Sequence, residues 1–344
     1  MRGFSEAAKS GASTDELAGA LSRAVAPAVA HDAVVLAGTS PAMGPGRLSF
    51  SFWHGFEIAF GRGLLHNHYA GHDPFPLEVL ARRRLPVAVL GSGHRDGRQE
   101  RAAADLMLRH GVGCELRVLL RDTRGVWGVL GLLRSQGGRP FDEADVLRAV
   151  RLTPDLVAVM REYVTAGPLT AADPAPLPGV IIVGSDHTIR AATAQAVRWE
   201  KDLRPRSDVP DWCGESLLAG LAMRARGRPG DCDADVPQFV GPSAAYGRWV
   251  ACHAQPLSGD GAGDVAIVVQ SATTGQRLPS FCDWYGITAR ERQIIVQLCD
   301  AAAPKQIARR LGLSAYTVND HLKSIYRKTG ACGRGELLAA IANP

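Results

Sequence analysis

In the stretch KQIARRLGLSAYTVNDHLKSIYRKTG, residues 305–330, one residue, Leu313, separates Gly312 from Ser314. A glycine at that point closes the helix before it, because it enters the left-handed region without a Cβ clash. A serine two positions on is a strong N-cap for the helix that follows, and losing such a cap costs about 1 kcal/mol. A connection this short forces the two helices to cross steeply, which is the geometry of a helix-turn-helix. No other stretch of the chain leaves the backbone so few options.

The second of these helices has two faces. Val318, Leu322, Ile325 and Thr329 recur at i, i+4, i+7 and i+11 and are expected to pack inward. Tyr316, Asn319, Asp320, Lys323 and Arg327 fall on the opposite side. A polar row of this length fits a major groove about 12 Å wide. Asn319 can bond adenine bidentately, Lys323 can donate to guanine, and Asp320 can accept from a cytosine amino group. Around them Lys305, Arg309, Arg310, Thr317, Arg327, Lys328 and Arg334 can hold phosphates, which fixes position without reading sequence. Upstream, Thr288 and Glu291 form a capping box before Ile294, Ile295 and Leu298. The middle helix starts at Pro304 and turns Ile307, Ala308 and Leu311 inward.

Charge supports a polyanionic partner. From residue 287 onward there are nine arginines and lysines against four acids, an excess equal to the +5 of the whole chain. Residues 1–286 are therefore electrically balanced, and the excess sits where the helix-turn-helix lies. The seven cysteines are scattered and never form CxxC, which excludes a zinc ribbon or a disulfide framework. The start of the chain has no apolar leader-like core, and the longest apolar run, VWGVLGLL at 126–133, falls short of a membrane span. A cytoplasmic protein with no membrane partner is expected.

The rest of the chain divides in two. Over residues 10–165, DELAGALSRAVAPAV reads as a helix with Thr14 as N-cap, VVLAG, RLSFSFWHGF and PVAVLG as strands, and QERAAADLMLRHG as a helix closed by Gly111. ELRVLLRDTRGVWGVLGLLR is a hairpin turning at Asp122-Thr123-Arg124-Gly125. A closing amphipathic helix is interrupted at Pro154. The Pro/Ala-rich stretch 166–178 reads as a linker. Over 179–275 the pattern is strand, turn, strand, helix, then the helix ESLLAGLAMRARG, the loop GDCDADVP, and two strands, GRWVACHAQPL and DVAIVVQSAT, joined by SGDGAGD. GQRLPSFCDWYG, with residues 276–286, reads as a connector into 287–344.

These patterns resemble known families. ITARER, KQIARRLGLSAYTVNDHLKSIYRKTG and the following Arg334 resemble the LuxR-type helix-turn-helix over about 58 residues. That resemblance implies that the positions of Asn319, Asp320 and Lys323 face bases, and that those of Lys305, Thr317 and Lys328 approach the backbone. It further implies a homodimer through the last helix, with Leu337, Leu338 and Ile341 as contacts; core packing is the competing reading of these three. Double-stranded DNA and the transcription machinery are the implied partners. Three departures stand out: Asn319 where the family has a basic residue, Gln306 for a glutamate, and Ala301 for a glycine. Residues 10–165 resemble a GAF domain and 179–275 a PAS domain, both small-molecule sensor folds, which implies an effector whose identity the sequence leaves open. The expected architecture is multidomain α+β: two antiparallel-sheet sensor domains followed by an all-α four-helix LuxR-type unit.

Other sensory partners of such a unit are excluded. A phosphoacceptor receiver needs an early acidic cluster and an aspartate ending an apolar strand, an acyl-homoserine-lactone domain needs a Trp/Tyr/Asp pocket pattern, and an ATPase needs GxxxxGK[ST]; none is present. No nucleophile–base pair suggests an enzyme. One upstream cluster carries chemistry: SFWHGFEIAFGRGLLHNHYAGHDPF, with His54, His66, His68 and His72 among aromatic residues. Its functional reading is a pocket for an aromatic or apolar ligand lined by Phe52, Trp53, His54, Phe56 and Tyr69; the alternative is a sheet core beside a polar loop. No HExxH-like spacing indicates a metal, and no cofactor is assigned. A protein–protein adaptor that has lost DNA binding is the competing function, suggested by Asp320 and the non-basic Asn319.

Overall fold

A computed structural model of the protein describes residues 1–91, 97–171, 173–203, 211–226, 238–258 and 263–342. The expected loop GDCDADVP and the centre of the turn SGDGAGD lie outside the described residues. The first unit opens with α1 (Arg2–Ser10) and α2 (Thr14–Val25), then β1 (Ala33–Gly38) and β2 (Phe50–His54). It continues through α3 (Ile58–Tyr69), α4 (Leu77–Arg82), β3 (Val87–Gly91) and α5 (Arg98–Arg109). The hairpin β4 (Val112–Asp122) and β5 (Gly125–Ser135) follows, then α6 (Glu143–Arg151) and α7 (Thr153–Ala166). The five strands form an antiparallel sheet ordered β2-β1-β5-β4-β3.

Both faces of this sheet are covered, which is why β5 is apolar along nearly its whole length. Val34, Leu36, Phe50, Phe52, Leu116 and Leu130 face α1, α2 and α7, while Ala33, Leu90 and Leu133 face α3 and α5. At the hairpin the Asp122 carboxylate accepts from the Arg124 N–H at 2.8 Å, so the turn closes on its own side chain. Pro154 sits in the first turn of α7, where its missing N–H costs nothing, and the chain breaks between α6 and α7 as expected.

Three local expectations need correction. The cap of α2 is Ser13, not Thr14, in a reciprocal box with Glu16. Residues before 10 form α1, whose Phe4 is buried against Phe52 at 6.0 Å. The stretch after β2 is helix α3 rather than a loop; Gly61 and Gly63 weaken its helical signal. A Cβ at Gly63 would meet Leu106 of α5 at 2.6 Å and push that side chain aside.

The second unit contains β6 (Gly179–Val183), β7 (Ile189–Ala192), α8 (Ala194–Leu203), α9 (Asp211–Arg226) and β8 (Gln238–Gly241). It ends with α10 (Ser243–Tyr246), β9 (Val250–Pro256) and β10 (Val265–Ser271). Its antiparallel sheet is ordered β7-β6-β10-β9-β8, the same 2-1-5-4-3 order as the first. The segment read as a connector is instead α11 (Thr274–Trp284), capped by Thr273 in a box with Gln276. Four helices complete the chain: α12 (Ala289–Cys299), α13 (Pro304–Leu311), α14 (Ala315–Thr329) and α15 (Arg334–Ala342). Among the described residues no helix is long and apolar enough to cross a membrane. Cys114, Cys252, Cys282, Cys299 and Cys332 are free thiols.

Candidate nucleic-acid interface

Local signals build the carboxyl-terminal unit. The Thr288 hydroxyl accepts from the Glu291 N–H at 3.3 Å, and the Glu291 carboxylate accepts from the Thr288 N–H at 2.7 Å. Ala301 takes a left-handed backbone with φ of 59°, so the alanine occupies a conformation that suits glycine. Gln306 accepts from the Ala303 N–H at 2.9 Å and so closes the start of α13. Gly312 ends α13 at φ 64°, and Ser314 accepts from the Thr317 N–H at 3.0 Å. These two residues set the short connection between α13 and α14.

On α14 the two faces separate as the periodicity requires. Val318 and Ile325 are fully buried, with Leu322 and Thr329 beside them. Tyr316 is 74% exposed, and Asn319, Asp320, Lys323 and Arg327 are exposed with it. Lys323 and Asp320 lie 3.7 Å apart on this face, a solvent-exposed pair that constrains neither. Lys305, Arg309 and Arg310 are exposed on α13, and Thr317 and Arg334 are half-buried. Arg310 donates to Gln297 at 2.8 Å.

Two groups of expected contacts are placed elsewhere. The Lys328 ammonium does not face outward: it meets the buried Glu291 carboxylate at 2.6 Å. Burial opposes ionisation of Glu291, but Lys328 and the Thr288 N–H outweigh it and pull the carboxyl down to about 2. Lys328 therefore braces α14 against α12. Leu337 and Ile341 are fully buried in the chain's own core, with Leu338 half-buried, so the apolar face of α15 is not open to a second copy. It lies against α11 and α12, and the buried Arg277 of α11 donates to the Ile341 carbonyl.

Helix α11 also ties this unit to the first sheet. Trp284 is buried between Phe50 and Trp127, at ring-centroid distances of 5.8 and 5.1 Å. Asp283 accepts from the Ala42 N–H at 2.8 Å and from Arg124 at 3.2 Å, and the Ser280 and Ser40 hydroxyls bond at 2.9 Å. None of the outward residues of α14 takes part. Sequence reasoning missed these residues, although Thr273-x-x-Gln276 is a capping signal.

The aromatic and histidine cluster is split. Phe52 is buried on the sheet face that packs on α1 and α7, against Phe4 and Tyr163, and cannot line a pocket on the other side. Phe56 packs on Trp53 and Phe60, and His54 is exposed. Of the five expected residues, Trp53 and Tyr69 line one cavity together. Among the described residues no three His, Cys, Asp or Glu side chains stand together as metal ligands.

Comparison with known proteins agrees with the carboxyl-terminal geometry. Residues 286–340 match the family described as bacterial regulatory proteins, luxR family. The monoamine regulon transcriptional regulator of Klebsiella aerogenes is 42% identical over 58 residues, which is 17% of this chain and 26% of that protein. The match thus spans about a quarter of the length of that relative. Among solved structures, Escherichia coli SdiA is 14% identical with a TM-score of 0.32, covering 94% of this chain and 90% of that one. The GAF domain of a phosphoenolpyruvate-protein phosphotransferase from Coxiella burnetii is 14% identical with a TM-score of 0.30, covering 46% and 89%. These two likenesses are too loose to define the fold of the first two units. The match over α12–α15, its caps and its two-faced α14 make the carboxyl-terminal unit of this chain a LuxR-type helix-turn-helix domain.

Proposed function

We propose that the chain is a sequence-specific, DNA-binding transcriptional regulator of the cytoplasm, governed by a small-molecule effector at its amino-terminal units. In this reading residues 10–165 are a GAF-like and 179–275 a PAS-like sensory unit joined by the linker 166–178. The segment 276–286 then leads into the DNA-binding unit 287–344. The observation that carries the reading is the outward row of α14, held rigidly by a buried opposite face. Asn319, Asp320 and Lys323 are the base readers, and Lys305, Arg309, Arg310, Thr317, Arg327 and Arg334 the phosphate contacts. The common strand order of the two sheets supports a pair of related sensory units. A homodimer through Leu337, Leu338 and Ile341, meeting the transcription machinery, requires α15 to part from α11.

Selection of bound duplexes followed by retardation assays tests this. Affinity is expected to fall steeply with salt, because phosphate contacts release counterions. Lys323→Ala should cost about 1–3 kcal/mol at one base position, whereas Lys305→Ala should weaken all sequences alike. The adaptor reading is favoured by one observation, the pairing of Lys328 with the buried Glu291, which withdraws one cation from the DNA-facing side. A full-length chain that retards no duplex at low salt would establish it over the regulator reading.

A further inference from the structure

A half-open cavity of about 300 Å³ lies between the two amino-terminal units. Trp53 and Tyr69 of the first unit form one wall; Ile181, Cys252 and Val269 of the second sheet form the other. Cys252 and Val269 are directly opposed across β9 and β10, so the second sheet presents a continuous apolar surface to the space. Protein interiors normally fill such a surface to crystal density. Among the described residues α8 and α9 leave part of it uncovered, and the volume is that of a small-molecule site.

The two walls are held in place by contacts between units. Gly220 of α9 lies under the Tyr69 ring, and a Cβ there would fall 2.2 Å from the ring, so only glycine lets Tyr69 reach this position. Arg62 of α3 pairs with Glu215 of α9 at 2.9 Å, and the His66 and His187 rings meet at 5.8 Å. The rim is also apolar: Ile189 and Val197 line it while remaining 51% and 53% exposed, an unfavourable use of large aliphatic side chains unless something covers them. Glu215 at the edge is already paired with Arg62, and burying a guest's own charge against these apolar walls is costly. Burial pushes the Cys252 thiol up to about 12, so that wall stays neutral and unreactive.

We infer that this cavity binds an uncharged, ring-bearing apolar molecule of about 15–20 non-hydrogen atoms, clamped between the two units. The inference deepens the sensory reading above and rests on it: a guest touching both units strengthens the α3–α9 contact, whereas a cavity inside one unit leaves it unaffected.

Two fluorescent probes that share one ring system test the class. N-phenyl-1-naphthylamine is neutral, and 8-anilinonaphthalene-1-sulfonate carries a sulfonate. Titrated into the full-length chain, the neutral probe should saturate at one per chain, and the sulfonate should bind at least about tenfold more weakly. Cys252→Phe fills the space, and Ile189→Glu places a charge at the exposed rim where folding is not at stake. Each should weaken the neutral probe by about tenfold or more. Absence of neutral-probe binding, equal binding of the two probes, or an affinity unchanged in Ile189→Glu overturns the inference. If Cys252→Phe fails to fold, Ile189→Glu decides. Retardation of a selected duplex by the wild-type chain from the same preparation separates the two readings. Probe binding without retardation removes the regulator and keeps the cavity, and retardation without probe binding does the reverse.

Discussion

The ion pair between Glu291 and Lys328 makes a quantitative prediction. Glu291 is 3% exposed, holds the cap of α12 through the Thr288 N–H, and meets Lys328 of α14 at 2.6 Å. Its carboxyl falls from the usual 4.5 to about 2, so the charged form stabilises the folded unit by about 3 kcal/mol. Glu291→Gln keeps an acceptor for the cap but removes the anion. Lys328 is a quarter exposed and can then turn to water, so no charge is stranded and the expected loss at pH 7 is about 2–3 kcal/mol. The folded carboxyl titrates below the unfolded one, so the contribution is complete above about 4.5 and disappears as pH falls toward about 2. Hydrogen exchange of the α12 and α14 amides, measured for both chains across this range, reads the difference directly. The protection gap should close through that window. Equal protection at pH 7, or a gap that persists unchanged to pH 2, refutes the assignment of Lys328 as a brace.

Two further outcomes follow from the same unit. Ala301→Gly relieves a left-handed alanine at φ 59° and should stabilise the unit by up to about 1 kcal/mol, read as an increase in the urea midpoint without a change in slope. Arg277→Ala removes the buried donor that holds the Ile341 carbonyl, and should loosen α15 from α11. If α15 is the dimer contact, sedimentation at equal concentration then shows more dimer than the wild-type chain; an unchanged distribution counts against that role.

How much was legible in the sequence depended on the range of the signal. Thr288 with Glu291, Pro304, Gly312 and Ser314 act within one helical turn, so the boundaries of α12–α14 could be read residue by residue. The outward row of α14 was legible for the same reason, since the side opposite four regularly spaced apolar residues is exposed whatever lies beneath. Helix α3 was hidden by Gly61 and Gly63, and the close approach of Leu106 to Gly63 shows only in the folded chain. Helix α11 was hidden by Pro279, which reads as a break although Thr273 and Gln276 had announced the start.

The sequence by itself determined a helix-turn-helix with a readable outer face, because caps and periodicity are set by neighbours along the chain. Tertiary structure alone decided that Lys328 turns inward, that α11 covers α15, and that Trp53 and Cys252 share a cavity. Each of these joins residues far apart in the chain, and an apolar or charged side chain carries no mark of which distant partner will bury it.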